Sequence, residues 1–90
     1  MIQPEIAFVN KLIRIRLAAE RLGGNRKPGV VETANWLKLH IKANGYVNPN
    51  ESRSFFERHL DKIEYLIPSG KPKLREEFAN LHKVSFQASF

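Results

Sequence analysis

The segment PEIAFVNKLIRIRLAAERL, residues 4–22, carries the clearest helical pattern in this 90-residue chain. Its apolar side chains recur at the spacing of one face of an α-helix, in the order Phe8, Leu12, Ile15, Ala19 and Leu22. Pro4 suits a first helical turn, and the pair Gly23 and Gly24 is a stop signal. The segment therefore predicts an amphipathic helix whose apolar face other helices must cover.

Two further segments predict helices. Residues 30–44 are apolar over more than half of the helical circumference, so this helix is expected to be the most deeply buried. Residues 49–67 open with Asn48 as the N-cap and Pro49 in the first turn, and Pro68 ends them. Both segments have turn-forming residues on either side, which favours short connections.

The C-terminal part of the chain changes its pattern. Residues 72–83 predict a shorter helix, whereas residues 84–90 alternate apolar and polar side chains in the manner of an extended strand. We expect this tail either to dock on its own domain, a second copy or another protein, or to fray as termini often do. Its docking face would include Val84, Phe86 and Phe90.

Together these elements predict an all-α fold. Residues 1–90 would form one small domain, a bundle of about four helices with a candidate extended tail, because one core is all that a chain of this length can hold. Short connections favour antiparallel packing of neighbouring helices. Trp36 is expected to pack in the core, with an interface to a second copy or another protein as the alternative.

Composition excludes several classes of protein. The chain has no cysteine, so it has no disulfide, thiolate metal site or cysteine nucleophile, and a reducing cytoplasm is its expected location. No apolar run approaches the roughly 18 residues of a membrane span. The N-terminal residues do not show the pattern of a secretory signal.

Enzymatic chemistry has little support in the sequence. The three histidines fall on different predicted helices, without the spacing of a metal site. No Gly-x-Ser-x-Gly elbow is present, and the loop at residues 23–29 lacks the spacing of a Walker A motif. We therefore expect no enzyme activity, no metal and no other cofactor.

The charge distribution carries the strongest functional signal. Fifteen Lys and Arg against nine Asp and Glu give a net charge of +6, most of it within residues 1–50. Such an excess favours a polyanionic partner, although a row of charges on a helix is often only a solvated face. If the partner is a nucleic acid, the predicted phosphate contacts are Lys11, Arg14, Arg21, Arg26, Lys27, Lys38 and Lys42.

Base contacts are predicted at the start of the third helix. A buried helix, Gly45 in the turn and a second helix opening on polar residues follow the order of a helix-turn-helix, although a turn of about six residues is longer than in that motif. Asn50 and Arg53 are the candidate base-reading side chains. The alternative is that the polar residues here only cap the helix and form the turn.

Three functional hypotheses follow. The first is a regulatory protein that binds nucleic acid, DNA more than RNA, as a homodimer. The second is a small protein-binding inhibitor or adaptor of the phage or plasmid type, docking on a larger, acidic host protein through its apolar tail. The third is a peripheral membrane role for the first helix, against which Glu5 and Glu20 argue.

Overall fold

A computed structural model describes residues 2–23 and 27–88, with side chains described up to residue 83. Within these ranges the chain forms five α-helices and no strand, which confirms the predicted all-α class. The helices are α1 (Pro4–Arg21), α2 (Val30–Asn44), α3 (Pro49–Arg58), α4 (Leu60–Tyr65) and α5 (Pro72–Ala88).

Contacts at the ends of α1 and α2 show that these two helices are antiparallel. The Gln3 side-chain amide donates to the backbone carbonyl of Val47 at 2.9 Å, so the start of α1 lies beside the end of α2. Gly45 ends α2 with φ of +76°, a left-handed conformation that glycine adopts readily. The antiparallel packing expected of neighbouring helices is therefore observed for α1 and α2.

Two buried polar contacts set the direction of α3 and α4 along α1. The Ser52 hydroxyl, at the start of α3, donates to the Glu5 carboxylate at 3.1 Å. The Arg16 Nε donates to the backbone carbonyl of Leu66, just beyond α4, at 2.7 Å. The α3–α4 arm therefore runs parallel to α1, with one buried polar contact near each end.

Helix α5 returns along the other side of α1. Lys11 of α1 pairs with Glu77 of α5 at 2.8 Å, and the rings of Phe8 and Phe78 lie 6.3 Å apart. Earlier in α5, Arg75 pairs with Glu64 of α4 at 3.3 Å. The result is an up-down-up-down bundle in which the third arm is divided into α3 and α4.

Helix α1 supplies the centre of the core. Its inward side chains pack against apolar residues from every other helix, and each fully buried side chain of this size contributes about 1.5–3 kcal/mol. Side chains with no exposed surface include Ile6, Val9, Leu12, Ala34, Leu37, Phe55, Phe56, Ile63 and Leu66. The predicted apolar line of this helix is confirmed only in part: Phe8 and Leu12 are buried and Ile15 and Ala19 are half-buried, but Leu22 is 87% exposed just beyond the end of α1.

The helix predicted over residues 49–67 is broken at His59, which is a correction. His59 has φ of −123°, and its backbone N–H donates to Phe56 O at 3.3 Å instead of to Phe55 O. The His59 ring takes over that acceptor, because its Nδ1 lies 2.8 Å from Phe55 O and a carbonyl can only accept. A side-chain donor thus replaces one helical hydrogen bond and allows the bend.

The predicted extended tail is also wrong over its first part. Helix α5 continues to Ala88, so residues 84–88 are helical and not strand-like. Extending an existing helix adds one hydrogen bond per residue fixed, and no Pro or Gly follows Pro72 to stop it. The side chains of Val84 and Phe86, and Phe90 as a whole, lie outside the described residues.

The expectation that α2 is the most buried helix needs correction as well. Its inward line of Val30, Ala34, Leu37 and Ile41 is buried as expected. On the opposite side, however, Trp36 is 36% exposed and Leu39 is 66% exposed. The apolar residues of α2 therefore cover more of its circumference than α1 and the α3–α4 arm can bury, and the core placement of Trp36 is wrong.

The buried contact between Ser52 and Glu5 predicts a measurable loss of stability. Ser52→Ala leaves the Glu5 carboxylate without one of its hydrogen bonds inside the protein, which we expect to lower the free energy of unfolding by about 1–3 kcal/mol. Urea unfolding followed by circular dichroism measures the change. Ser54→Ala is the matched control, because Ser54 lies on the same helix but is exposed. Equal stability of the two variants would contradict the assignment.

Candidate nucleic-acid interface

One side of α1 carries two exposed arginines. Arg14 and Arg21 lie two turns apart on the exposed side of α1, opposite its buried residues. The flank that faces α5 carries Phe8 and Lys11, whose contacts are with Phe78 and Glu77. The arginines therefore face solvent between this flank and the flank that faces α2.

One flank of α2 carries two exposed lysines in the same way. Lys38 and Lys42 lie one turn apart. The opposite flank of α2 carries His40, whose ring lies 6.4 Å from that of His59 at the junction of α3 and α4. The lysine flank is therefore turned away from the α3–α4 arm and toward α1.

The exposed side of α1 lies next to the lysine flank of α2, because α1 and α2 are antiparallel neighbours. Arg14, Arg21, Lys38 and Lys42 form one surface, which we call the basic face. From Arg21 to Lys42 it extends about 20 Å along the helix axes, the length of several phosphates of one nucleic-acid strand. Among the described side chains, none of these four cations has a carboxylate partner.

The other predicted phosphate contacts have partners within the protein. Lys11 is paired with Glu77 at 2.8 Å. Lys27 Nζ lies 3.4 Å from the backbone carbonyl of Tyr65 and 5.0 Å from the centre of its ring. Arg26 lies outside the described residues. The structure thus brings together four of the seven predicted side chains and directs Lys11 and Lys27 to other elements.

The predicted base-reading pair is separated from the basic face. Arg53 lies 3.5 Å from the buried Glu5 carboxylate, so its charge offsets a charge in the core. Asn50 is exposed at the start of α3, where its N–H donates to the side chain of Asn48 at 2.9 Å. The capping interpretation of this segment is therefore confirmed for Asn48.

Asn50 lines a polar pocket between the end of α2 and α3. The pocket has a volume of about 360 Å³ and opens to solvent. Its other lining residues are Asn44, Tyr46, Glu51, Ser54 and Arg58. Arg58 is exposed, with its Nε donating to Ser54 O at 3.2 Å, so the planar guanidinium is held near the pocket. All six lining residues fall within residues 44–58, but their polar side chains match no known motif, so the grouping was not predicted from the sequence.

A cluster of rings lies at the surface next to this pocket. The Trp36 ring is 3.8 Å from that of His40 and 5.1 Å from that of His59, measured between centroids. Lys62 Nζ lies 4.9 Å from the centre of the Trp36 ring, within cation–π range. We call Trp36, His40, His59 and Lys62 the aromatic cluster. Sequence spacing had separated the histidines, but the bend at His59 brings two of them to the same indole.

In residues 2–23 and 27–88, no three His, Asp or Glu side chains are grouped as a metal site would require. No helix in that part of the chain is both long enough and apolar enough to cross a membrane.

Comparison with known proteins gives no relative: no family model, no curated protein and no solved structure matches this chain. Function therefore has to be inferred from the residues of the chain itself.

The surface position of Trp36 predicts a small effect of its removal on stability. Trp36→Ala should lower the free energy of unfolding by less than half as much as Leu37→Ala, for which we expect about 2–5 kcal/mol because Leu37 is fully buried. The two residues are neighbours on α2, so they form a matched pair for urea unfolding. A loss for Trp36→Ala as large as that for Leu37→Ala would place the indole in the core after all.

Proposed function

We propose that this chain is a non-enzymatic regulatory protein that binds nucleic acid, DNA in preference to RNA, through the basic face. The observation that supports this most directly is the grouping of Arg14, Arg21, Lys38 and Lys42 on one exposed surface of α1 and α2. A polyanion that neutralises such a surface releases the counterions condensed on its phosphates, and this release drives binding.

The contrast with the other cations supports the same proposal. Lys11, Arg53 and Arg75 are each paired with a carboxylate on another helix. Those ion pairs connect the helices of the bundle, whereas no structural role is apparent for the four cations of the basic face. Like charges on one face repel each other, so a partner that carries negative charge lowers the free energy of this surface.

The basic face fits a phosphate backbone better than it fits a small anion. Its four cations are spread over about 20 Å along two helices and do not converge on one point. Each arginine can bind a phosphate through two N–H groups, and each lysine through one ammonium group. Such contacts supply affinity and orientation but carry no sequence information.

Salt dependence provides a quantitative test. Lys38→Ala with Lys42→Ala should reduce the slope of log K against log salt by about 1.8 for duplex DNA, since each lost phosphate contact removes about 0.9. Fluorescence anisotropy of a labelled duplex, measured between about 50 and 200 mM salt, gives this slope. Arg14→Ala with Arg21→Ala should reduce it by a similar amount.

The control is Lys71→Ala with Lys73→Ala, which removes the same charge from two exposed lysines at the start of α5. The slope for this variant should stay close to that of the wild type. Equal effects of the two lysine pairs would show that net charge alone drives binding. Unchanged slopes for all pairs would contradict the proposed function.

A further inference from the structure

The aromatic cluster leaves a large apolar surface exposed on α2. Trp36 and Leu39 lie one turn apart and are 36% and 66% exposed. The indole is nevertheless held in place, since His40 and His59 both contact its ring and Lys62 lies over it. A ring fixed at the surface in this way is ordered before any partner binds, which reduces the entropy lost on binding.

The cluster and the polar pocket are connected. Below the surface, the buried Phe55 ring lies 4.7 Å from that of His59 and 4.6 Å from that of Tyr46, which lines the pocket. At the surface of α2, the side-chain amide of Asn44, which also lines the pocket, donates to the backbone carbonyl of His40 at 2.8 Å. The aromatic cluster and the pocket are therefore neighbours, one helical turn apart on α2.

The chemistry along the aromatic cluster and the pocket alternates between flat rings, cations and hydrogen-bonding groups. Lys62 lies at one end and Arg58 at the other, while Lys38 and Lys42 line the opposite flank of α2. The pocket adds the amides of Asn44 and Asn50 and the Glu51 carboxylate, which can accept from an amino group but repels phosphate. A ligand that fits this pattern has flat rings and polar edges on an anionic backbone.

We propose that the aromatic cluster is a base-stacking site for single-stranded nucleic acid. A base packs against the exposed part of the Trp36 ring, and Lys62 binds an adjacent phosphate. A neighbouring base enters the pocket beside Asn50 and Arg58, and Lys38 and Lys42 bind phosphates farther along the strand, on the other flank of α2. Bases in a duplex have both faces covered, so only an unpaired strand can offer a face to the indole. This site rests on the proposed function, because its phosphate contacts include Lys38 and Lys42.

Trp36 is the only tryptophan of the chain, so its fluorescence reports on this site alone. The test titrates the full chain with a single-stranded oligothymidine of about 12 nucleotides, and with an abasic strand of the same length and charge. Site sizes of about 4–16 nucleotides are usual for single-strand binding. We expect the thymidine strand to quench Trp36 emission and to bind more tightly than the abasic strand, which leaves the emission nearly unchanged.

Substitutions of Trp36 separate the contribution of stacking to the binding affinity from the contribution of charge. Trp36→Ala should weaken binding of the thymidine strand by about fivefold or more, as measured by anisotropy of the labelled strand, and should leave binding of the abasic strand unchanged. Trp36→Phe should retain most of the affinity, because a phenyl ring can still stack. Leu22→Ala is the control, since Leu22 is 87% exposed just after the end of α1 and is not a member of the aromatic cluster.

Three results would overturn the stacking site. Equal binding of thymidine, abasic and duplex ligands without quenching would leave the proposed phosphate binding intact but remove the role of Trp36. Absence of binding to every nucleic acid would remove both proposals. Concentration-dependent dimerisation without nucleic acid, abolished by Trp36→Ala and by Leu39→Ala, would identify a second copy of the chain as the occupant of this surface.

Discussion

The position of the α3–α4 arm along α1 depends on two buried polar contacts, Glu5 with Ser52 and Arg16 with the carbonyl of Leu66. Glu5 is 5% exposed and Arg16 is 7% exposed, so neither charge can be left without its partner at low cost. A shift of the arm along α1 would break both contacts and leave Glu5 and Arg16 buried without these partners. Both polar contacts can form together in only one position of the α3–α4 arm along α1.

That position explains the bend at His59. Glu5 and Arg16 are about 16 Å apart along α1, whereas an unbroken helix from Ser52 to Leu66 would span about 21 Å. The bend at His59 shortens the distance between Ser52 and Leu66, so that it matches the distance between Glu5 and Arg16 on α1. The His59 ring supplies a donor to the Phe55 carbonyl, which the break would otherwise leave without its helical hydrogen bond. The bend also places the same ring against Trp36, so the aromatic cluster follows from the geometry of the core.

The helices were predictable from the sequence because their signals are local. Pro4, Asn48 with Pro49, and Pro72 mark the starts of helices. Apolar periodicity identifies most of the buried side chains, with Leu22 at the end of the first predicted line as an exception. The bend at His59 was not predictable, since it depends on contacts between α1 and residues about 50 positions later. The exposure of Trp36 was missed for a related reason: periodicity shows that α2 is apolar on most sides but not how many neighbours it has.

For the candidate site, the sequence identified the basic segments. It could not show that Lys11 and Arg53 are used in ion pairs, because their carboxylate partners lie far away in the chain.

Nucleic-acid binding through α1 and α2 is tested most directly by mapping the contact surface at single-residue level. Amide chemical shifts of the isotopically labelled full chain would be followed during titration with the single-stranded thymidine oligonucleotide at low salt. Binding at the basic face and the aromatic cluster should shift the amides around Arg14, Lys38, Trp36 and Lys62, and should leave the start of α5 unchanged. Shifts concentrated around Lys71 and Lys73, with α2 unaffected, would contradict the assigned interface.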